Sequence, residues 1–275
     1  MGLFNKFFKI KTDQTQEQQL PLVVKHNEEW DFYFSDVDDI IGSFYIDLGL
    51  AKVAPLKSYS NLIWVSAKMN NPQSDGLSSN EESNILYQIE DRLINFISKN
   101  HQAIYTGRLT SNGRRDFYFY FVDPFLHDKT IAESMIAFPY YEYDFGIKDD
   151  IKWDHYFEFQ YPLPRQFQSI QNRRVLDQLE KKGETLVKER QVDHWLYFKT
   201  SNDKDAFLQK IKNDRFNIID DDYNIIYGAS PYRLHISRID KVDFNNVDNY
   251  TLYLWELAQE CNGEYDGWET SVEKE

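Results

Sequence analysis

Residues 79–122 read SNEESNILYQIEDRLINFISKNHQAIYTGRLTSNGRRDFYFYFV and predict a helix followed by a β-hairpin. Ser79 and Glu82 form a capping box, in which each side chain can satisfy a free backbone N–H at the start of a helix. The apolar residues that follow repeat with the 3.6-residue period of a helix: Ile85, Leu86, Ile89, Leu93, Phe96 and Ile97. Asn112-Gly113 then separates two strand-forming runs, because both positions of such a turn need a positive φ.

Further strands and one helix extend this unit in both directions. A strand over 62–69 precedes the helix, and a short helix through Ile131 and Met135 and a strand over 141–145 follow the hairpin. The order from residue 62 onward is therefore β-α-β-β-α-β, the split βαβ arrangement of ferredoxin-like folds. Two earlier runs, 30–34 and 40–50, are rich in aromatic and β-branched residues and predict opening strands.

The same order recurs in the second half of the chain. A helix ends at Gly183, Asn202 can cap the next helix, and the last helix ends at Asn262-Gly263. Strands are expected over 192–199, 217–220, 232–239 and 264–272. The sequence thus predicts an α+β protein of two tandem ferredoxin-like sandwiches, each a four-stranded antiparallel sheet with helices on one face.

Proline and composition shifts suggest the domain boundaries. Pro162 and Pro164 separate a first domain, 28–162, from a second domain, 168–275. Residues 1–27 are expected to be a leader and linker. The first eleven residues mix phenylalanines with three lysines, which leaves open an amphipathic helix on a membrane surface, a mobile leader, or a helix packed on the protein itself.

The charge balance narrows the class of partner. The chain has 275 residues with 31 basic and 45 acidic side chains, a formal net charge of −14. Direct nucleic-acid binding needs basic surface, so a basic protein surface is the expected partner. No apolar run approaches the ~20 residues of a transmembrane helix. The single cysteine, Cys261, excludes an internal disulfide and favours a reducing, cytoplasmic compartment. The oligomeric state is left open.

Signatures of catalysis are missing from the sequence. No nucleotide-binding, serine-hydrolase or zinc-protease motif occurs, and the six histidines are scattered. The run Asp220-Asp221-Asp222 fails as a calcium loop, because Ile225 stands where glycine is needed and Pro231 where the bidentate Glu belongs. We expect a solvated loop there, and no catalytic residues, metal or cofactor. An enzyme whose site assembles only in space stays an alternative.

The C-terminal string GEYDGWET, residues 263–270, is distinctive. Tyr265, Asp266, Gly267, Trp268 and Thr270 resemble the terminal signature of bacterial regulators of ribonuclease E activity B, while Glu269 stands where that family usually has glycine. The resemblance covers about residues 170 to 272. It implies a small acidic inhibitor that binds an endoribonuclease and alters its RNA processing without cutting RNA.

The first domain is similar to the bacterial domain-of-unknown-function family 695. The similarity rests on Glu29-Trp30, Gly107-Arg108, the run 113–117, and Trp153 with Tyr156. No activity is established for that family, so this resemblance implies a fold and a boundary only.

These observations favour a non-catalytic acidic interaction protein, and the resemblance implies a regulator or inhibitor of an endoribonuclease. An immunity or antitoxin-type protein that neutralises a basic toxin is an alternative with the same charge. The candidate partner-binding residues are Tyr265, Asp266, Glu269, Asp220, Asp221 and Asp222. Strand alternation predicts that Tyr265 lies on the face opposite Asp266 and Trp268, and it leaves open which of the two faces is exposed.

Overall fold

The computed structural model describes residues 25–273, so the expected leader over residues 1–24 lies outside the described residues. The first sheet has six antiparallel strands in the order β1-β2-β4-β5-β3-β6. Helix α1 spans Asn80–Asn100 and helix α2 spans His127–Met135. The strands are β1 Trp30–Val37, β2 Ile40–Asp47, β3 Asn61–Lys68, β4 Ala103–Ser111, β5 Arg114–Phe121 and β6 Tyr143–Asp149.

The first sheet is wider than the four strands expected. Strands β3 to β6 with their two helices keep the order of the split βαβ, and β4 lies at one side of that unit. The opening hairpin pairs along this free edge of β4, with Gly42 opposite Ser111 and Ile46 opposite Gly107. The expectation of four strands is therefore wrong for this domain, because an exposed edge of β4 accepts two more strands.

Both faces of the first sheet are covered. Phe117, Phe119 and Phe121 of β5 pack against α1 and α2, as expected for helices on one face. On the opposite face, Tyr120 stacks on the fully buried Trp153 with the ring centroids 3.9 Å apart. A π-helical turn, His155–Gln160, follows Trp153 and covers that face, so β5 is buried on both sides as its sequence indicates.

The second domain has the expected four-stranded antiparallel sheet, in the order β10-β7-β9-β8. The α+β class is confirmed, and the strand order is compatible with a ferredoxin-like arrangement. Helices α3, α4 and α5 all pack on one face of this sheet. The elements are α3 Pro164–Lys181, β7 Glu189–Phe198, α4 Ser201–Ile211, β8 Asn217–Tyr223, β9 Tyr232–Lys241, α5 Phe244–Glu260 and β10 Gly263–Thr270.

Three local expectations differ from the structure. Helix α3 begins at Pro164, before residue 168, the expected start of the second domain. Pro164 lies in the first turn of the helix, where its missing N–H costs nothing. Thr200, not Asn202, caps α4, and its hydroxyl accepts from the backbone N–H of Asp203 at 3.1 Å. The acidic run that begins at Asp220 lies inside β8 rather than in a loop, because pairing with β9 continues to Tyr223.

Helix α3 connects the two domains. Ile170 packs in the core of the first domain, and Leu176 packs in the core of the second. Arg173 forms an ion pair with Asp31 of β1 and lies over the ring of Phe32, 3.7 Å from its centroid. The helices of residues 25–273 include none that is long and apolar enough to span a membrane.

Candidate functional site: the open face of the second sheet

A β-bulge in β10 decides which of its side chains face the core. Tyr265 pairs with Leu196 and Gly267 pairs with Trp195, so Asp266 is an extra residue between two paired positions. The extra residue shifts the alternation by one, and Trp268 therefore returns to the same face as Tyr265. Gly267 has φ of 141°, a conformation that glycine adopts without a Cβ clash.

The expectation that Tyr265 lies opposite Trp268 is therefore wrong. Both side chains are buried on the core face, with 8% of Tyr265 and 9% of Trp268 exposed, while Asp266 is exposed. The Tyr265 hydroxyl lies 2.8 Å from Nδ1 of His194. Burial raises the pKa of Tyr265 and lowers the pKa of His194 to about 3, so His194 is neutral. These groups hold the core together and do not reach a partner.

The opposite face of this sheet, here called the open face, carries a row of half-buried rings. It comprises the outward side chains of Asp193, Trp195, Tyr197, Asp220, Asp222, Arg233, His235, Glu264, Asp266 and Glu269, with Gly267 among them. Trp195 stacks on His235 with the ring centroids 4.5 Å apart and an interplanar angle of 17°. His235 Nε2 lies 2.8 Å from a carboxylate oxygen of Asp193, which fixes the imidazole against the indole.

At the β8 edge of this sheet, the carboxylates already have partners. Asp220 forms an ion pair with Arg233. Asp221 is on the helix-covered side, where it pairs with Lys204 of α4. Asp222 lies 3.4 Å from the hydroxyl of Tyr227. The structure therefore divides the predicted acidic triplet between two faces, as alternation along a strand requires.

At the β10 edge, the carboxylates are exposed and have no ion pair, although Glu264 accepts a hydrogen bond from the Ser230 hydroxyl at 3.4 Å. Glu264, Asp266 and Glu269 form no ion pair with any residue in the described part of the chain. Burial raises the pKa of the Tyr197 phenol, and the negative charge of the nearby Asp266 raises it further. The β10 and β8 edges are separated by the widths of β7 and β9, about 14 Å for three strand spacings.

Trp195 and His235 were missed as site residues by reasoning from sequence. The signal was present in β7, where Val192, His194, Leu196 and Phe198 alternate with polar or amphipathic residues. That pattern indicates a strand with one buried face, and it places Trp195 on the other face.

A few charged residues of the first domain form a buried network. Arg108 Nη1 donates to Glu90 Oε1 at 2.6 Å, and the Tyr105 hydroxyl donates to the same oxygen at 2.8 Å. Arg115 Nε donates to the hydroxyl of Thr110 at 2.8 Å. Burial and the neighbouring Arg108 lower the pKa of Arg115 to about 10. This network ties α1 to β4 and β5.

Two groups with acid–base or thiol chemistry are His155, which is half-buried, and Cys261, which is buried. Burial lowers the pKa of His155 to about 4, and it raises the pKa of the buried Cys261 thiol. Among residues 25–273, no three His, Cys, Asp or Glu side chains are arranged to hold a metal ion. The open face is therefore the surface with the strongest functional signal.

Comparison with known proteins agrees with the division into two domains. The model of the family of unknown function DUF695 matches residues 28–161, and the model of the regulator of ribonuclease activity B matches residues 169–270. No curated protein matches the chain. A crystal structure of an unknown protein from Galdieria sulphuraria matches with 10% sequence identity over 78% of this chain and 99% of that chain, at a TM-score of 0.22. The first domain of the chain is thus similar to the DUF695 family, and the second domain is similar to the regulator of ribonuclease activity B family.

Proposed function

We propose that this protein is a non-catalytic regulator of an endoribonuclease, and that its second domain binds a basic surface of that enzyme. The match of residues 169–270 to the regulator of ribonuclease activity B supports the class of partner. The observation that carries the mode of binding is that two carboxylates of β10, Asp266 and Glu269, are exposed and have no ion pair in the described part of the chain.

The charges explain how binding of this protein would regulate the activity of the ribonuclease. A ribonuclease holds RNA through basic side chains that replace the counterions of the phosphates. An acidic protein surface competes for those side chains and would displace RNA or change how it is presented. The same negative charge, −14 over the whole chain, disfavours direct contact between this protein and RNA.

The candidate binding residues do not contribute equally to this proposal. Asp266 and Glu269 lie on the unpaired edge and are the primary contacts. Asp220 and Asp222 lie on the opposite edge with partners of their own and are secondary. Asp221 and Tyr265 face the helix-covered side, so we assign them to the fold. With a ribonuclease of the cell as its partner, we expect this interaction to take place in the cytoplasm.

The test combines binding with RNA cleavage. The purified chain is titrated against the endoribonuclease of the same cell by surface plasmon resonance at low and high salt, and cleavage of a natural transcript is followed alongside. We expect the association rate constant to fall as the salt concentration rises, because salt screens the charges that steer association. We also expect the rate of RNA cleavage to change when the chain is bound.

Two variants make this test specific. The double variant Asp266→Asn with Glu269→Gln should weaken binding, while Glu180→Gln removes an exposed charge on α3 and should leave binding unchanged. Equal binding by both variants would contradict the assignment of the site. No binding to the ribonuclease at low salt would contradict the proposed function, and binding of a basic toxin instead would support an immunity protein.

A further inference from the structure

One face of the Trp195 indole has no aromatic ring or cation stacked on it among residues 25–273. Trp195 has two cross-strand neighbours on the open face, His235 on β9 and Gly267 on β10. His235 stacks against one side of the ring. Because the two neighbours lie on opposite sides of β7, the other side of the ring is directed toward β10, above Gly267.

Gly267 leaves space at this position. A Cβ atom built on Gly267 would have no heavy atom within 4 Å apart from those of its chain neighbours, Asp266 and Trp268. The bulge that requires a glycine here therefore also removes the side chain that would otherwise stand beside Trp195. The result is an aromatic surface that is open toward the edge of the sheet.

Carboxylates flank this surface. Asp266 precedes Gly267 and Glu269 follows two residues later, and both are exposed and without an ion pair among residues 25–273. The nearest arginine on the open face, Arg233, is held at the far edge by its ion pair with Asp220. An aromatic face next to unpaired carboxylates attracts a cation by the ring quadrupole and by charge together.

We infer that Trp195, Asp266 and Glu269 form a subsite for one arginine side chain of the basic partner, with the guanidinium stacked on the indole above Gly267. This inference rests on the proposed function. A planar guanidinium fits better than an ammonium, since it stacks on an aromatic face and can donate two parallel hydrogen bonds to a carboxylate. The subsite therefore discriminates between arginine and lysine, which a general acidic surface does not.

The test uses the full chain and three synthetic peptides that differ only in their charged residue: arginine, lysine or the neutral analogue citrulline. Dissociation constants are measured by isothermal titration at low salt. The arginine peptide should bind roughly threefold to thirtyfold more tightly than the citrulline peptide, the range that a cation–π contact supplies, and measurably more tightly than the lysine peptide. The citrulline peptide should bind most weakly of the three.

Variants locate the binding. Trp195→Leu should remove the preference for arginine over lysine, and Asp266→Asn with Glu269→Gln should weaken both basic peptides. Glu180→Gln is the control for the loss of one exposed charge. Because Trp195 is half-buried, thermal melting is used to check that Trp195→Leu is folded. As a second readout, the NMR signal of the Trp195 indole N–H in the wild-type chain should shift when the arginine peptide binds.

The possible results separate this inference from the proposed function. Equal affinity for the arginine and lysine peptides, or an indole signal that does not move, would overturn the subsite. If the ribonuclease still binds in a salt-dependent manner that needs Asp266 and Glu269, the proposed function stands without it. If the arginine preference is present but the ribonuclease does not bind, the subsite stands and the proposed partner is wrong.

Discussion

Replacing Tyr265 by alanine should strongly lower the free energy of unfolding of the second domain. If Tyr265 were instead exposed on the terminal strand, the same change would have little effect. The side chain is 8% exposed and packs in a cluster with Leu196, Leu254 and Ala258. Truncation of a buried aromatic residue costs about 3 to 5 kcal/mol, because the apolar contacts are lost and a cavity remains. That is a large part of the ~5 to 15 kcal/mol that stabilises a typical domain.

Tyr265→Phe separates the hydrogen bond from the packing. His194 is fully buried, its Nδ1 lies 2.8 Å from the Tyr265 hydroxyl, and its Nε2 has no hydrogen-bond partner in the described part of the chain. Removing the hydroxyl leaves both ring nitrogens without a partner, which should cost about 1 to 3 kcal/mol. The phenylalanine variant should therefore lie between wild type and Tyr265→Ala.

Urea unfolding followed by circular dichroism measures both changes. The matched control is Tyr223→Ala in β8, where 58% of the side chain is exposed and a loss below about 1 kcal/mol is expected. If Tyr265→Ala unfolds at the urea concentration of the wild type, or loses no more stability than Tyr223→Ala, then the bulge does not place Tyr265 in the core and the account of β10 is refuted.

Three further predictions follow from buried polar contacts. Burial lowers the pKa of His194 to about 3 in the folded state, so the unfolded state binds the proton first as the pH falls. The free energy of unfolding should therefore be highest above about pH 6.5 and decrease below it. His194→Gln should reduce this pH dependence, measured as urea midpoints at several pH values. Asp31→Ala removes the ion pairs of Asp31 with Arg173 and Arg174 at the junction of the domains and should lower the free energy of unfolding by about 1 to 3 kcal/mol, so an unchanged thermal midpoint would argue against those contacts. Trp268→Phe removes the 2.9 Å hydrogen bond from the indole N–H to Asn172 and part of a buried ring; the hydrogen bond should contribute about 0.5 to 1.5 kcal/mol of the loss, and Trp268→Phe should cost less by that amount when Asn172 is already alanine.

Local signals in the sequence predicted the helices and hairpins well. Helix α1 begins after the Ser79 cap and buries the apolar positions that follow the helical period, and the Asn112-Gly113 turn joins β4 to β5. Each of these signals acts over a few residues, which is why it can be found without the fold. The Glu82 carboxylate instead accepts from the backbone N–H groups of Asn70 and Asn71, a long-range contact that the capping-box pattern does not contain.

Two features could not be derived from alternation or propensity. The pairing of β2 with β4 joins residues far apart in sequence, and nothing local in either strand specifies it. The bulge at Asp266 adds one residue to β10 and reverses which side chains face the core, so strict alternation misplaced Tyr265. Gly267 was the available signal, since a glycine inside a strand often marks a bulge.

The open face was only partly predictable. The charge of the chain predicted an acidic binding surface, and the structure shows that Asp266 and Glu269 are exposed. The sequence could not show that Lys204 and Arg233 neutralise Asp221 and Asp220, because those ion pairs depend on which helix and strand pack beside β8.

The central claim is that the exposed carboxylates of β10 bind a basic surface of an endoribonuclease. The most direct measurement is the dissociation constant between the purified full chain and the endoribonuclease at low and high salt, for the wild type, Asp266→Asn with Glu269→Gln, and Glu180→Gln. The account predicts binding that weakens with salt, is lost most in the double variant and is unchanged in Glu180→Gln. Binding that is equally strong in all three chains and at both salt concentrations would contradict it.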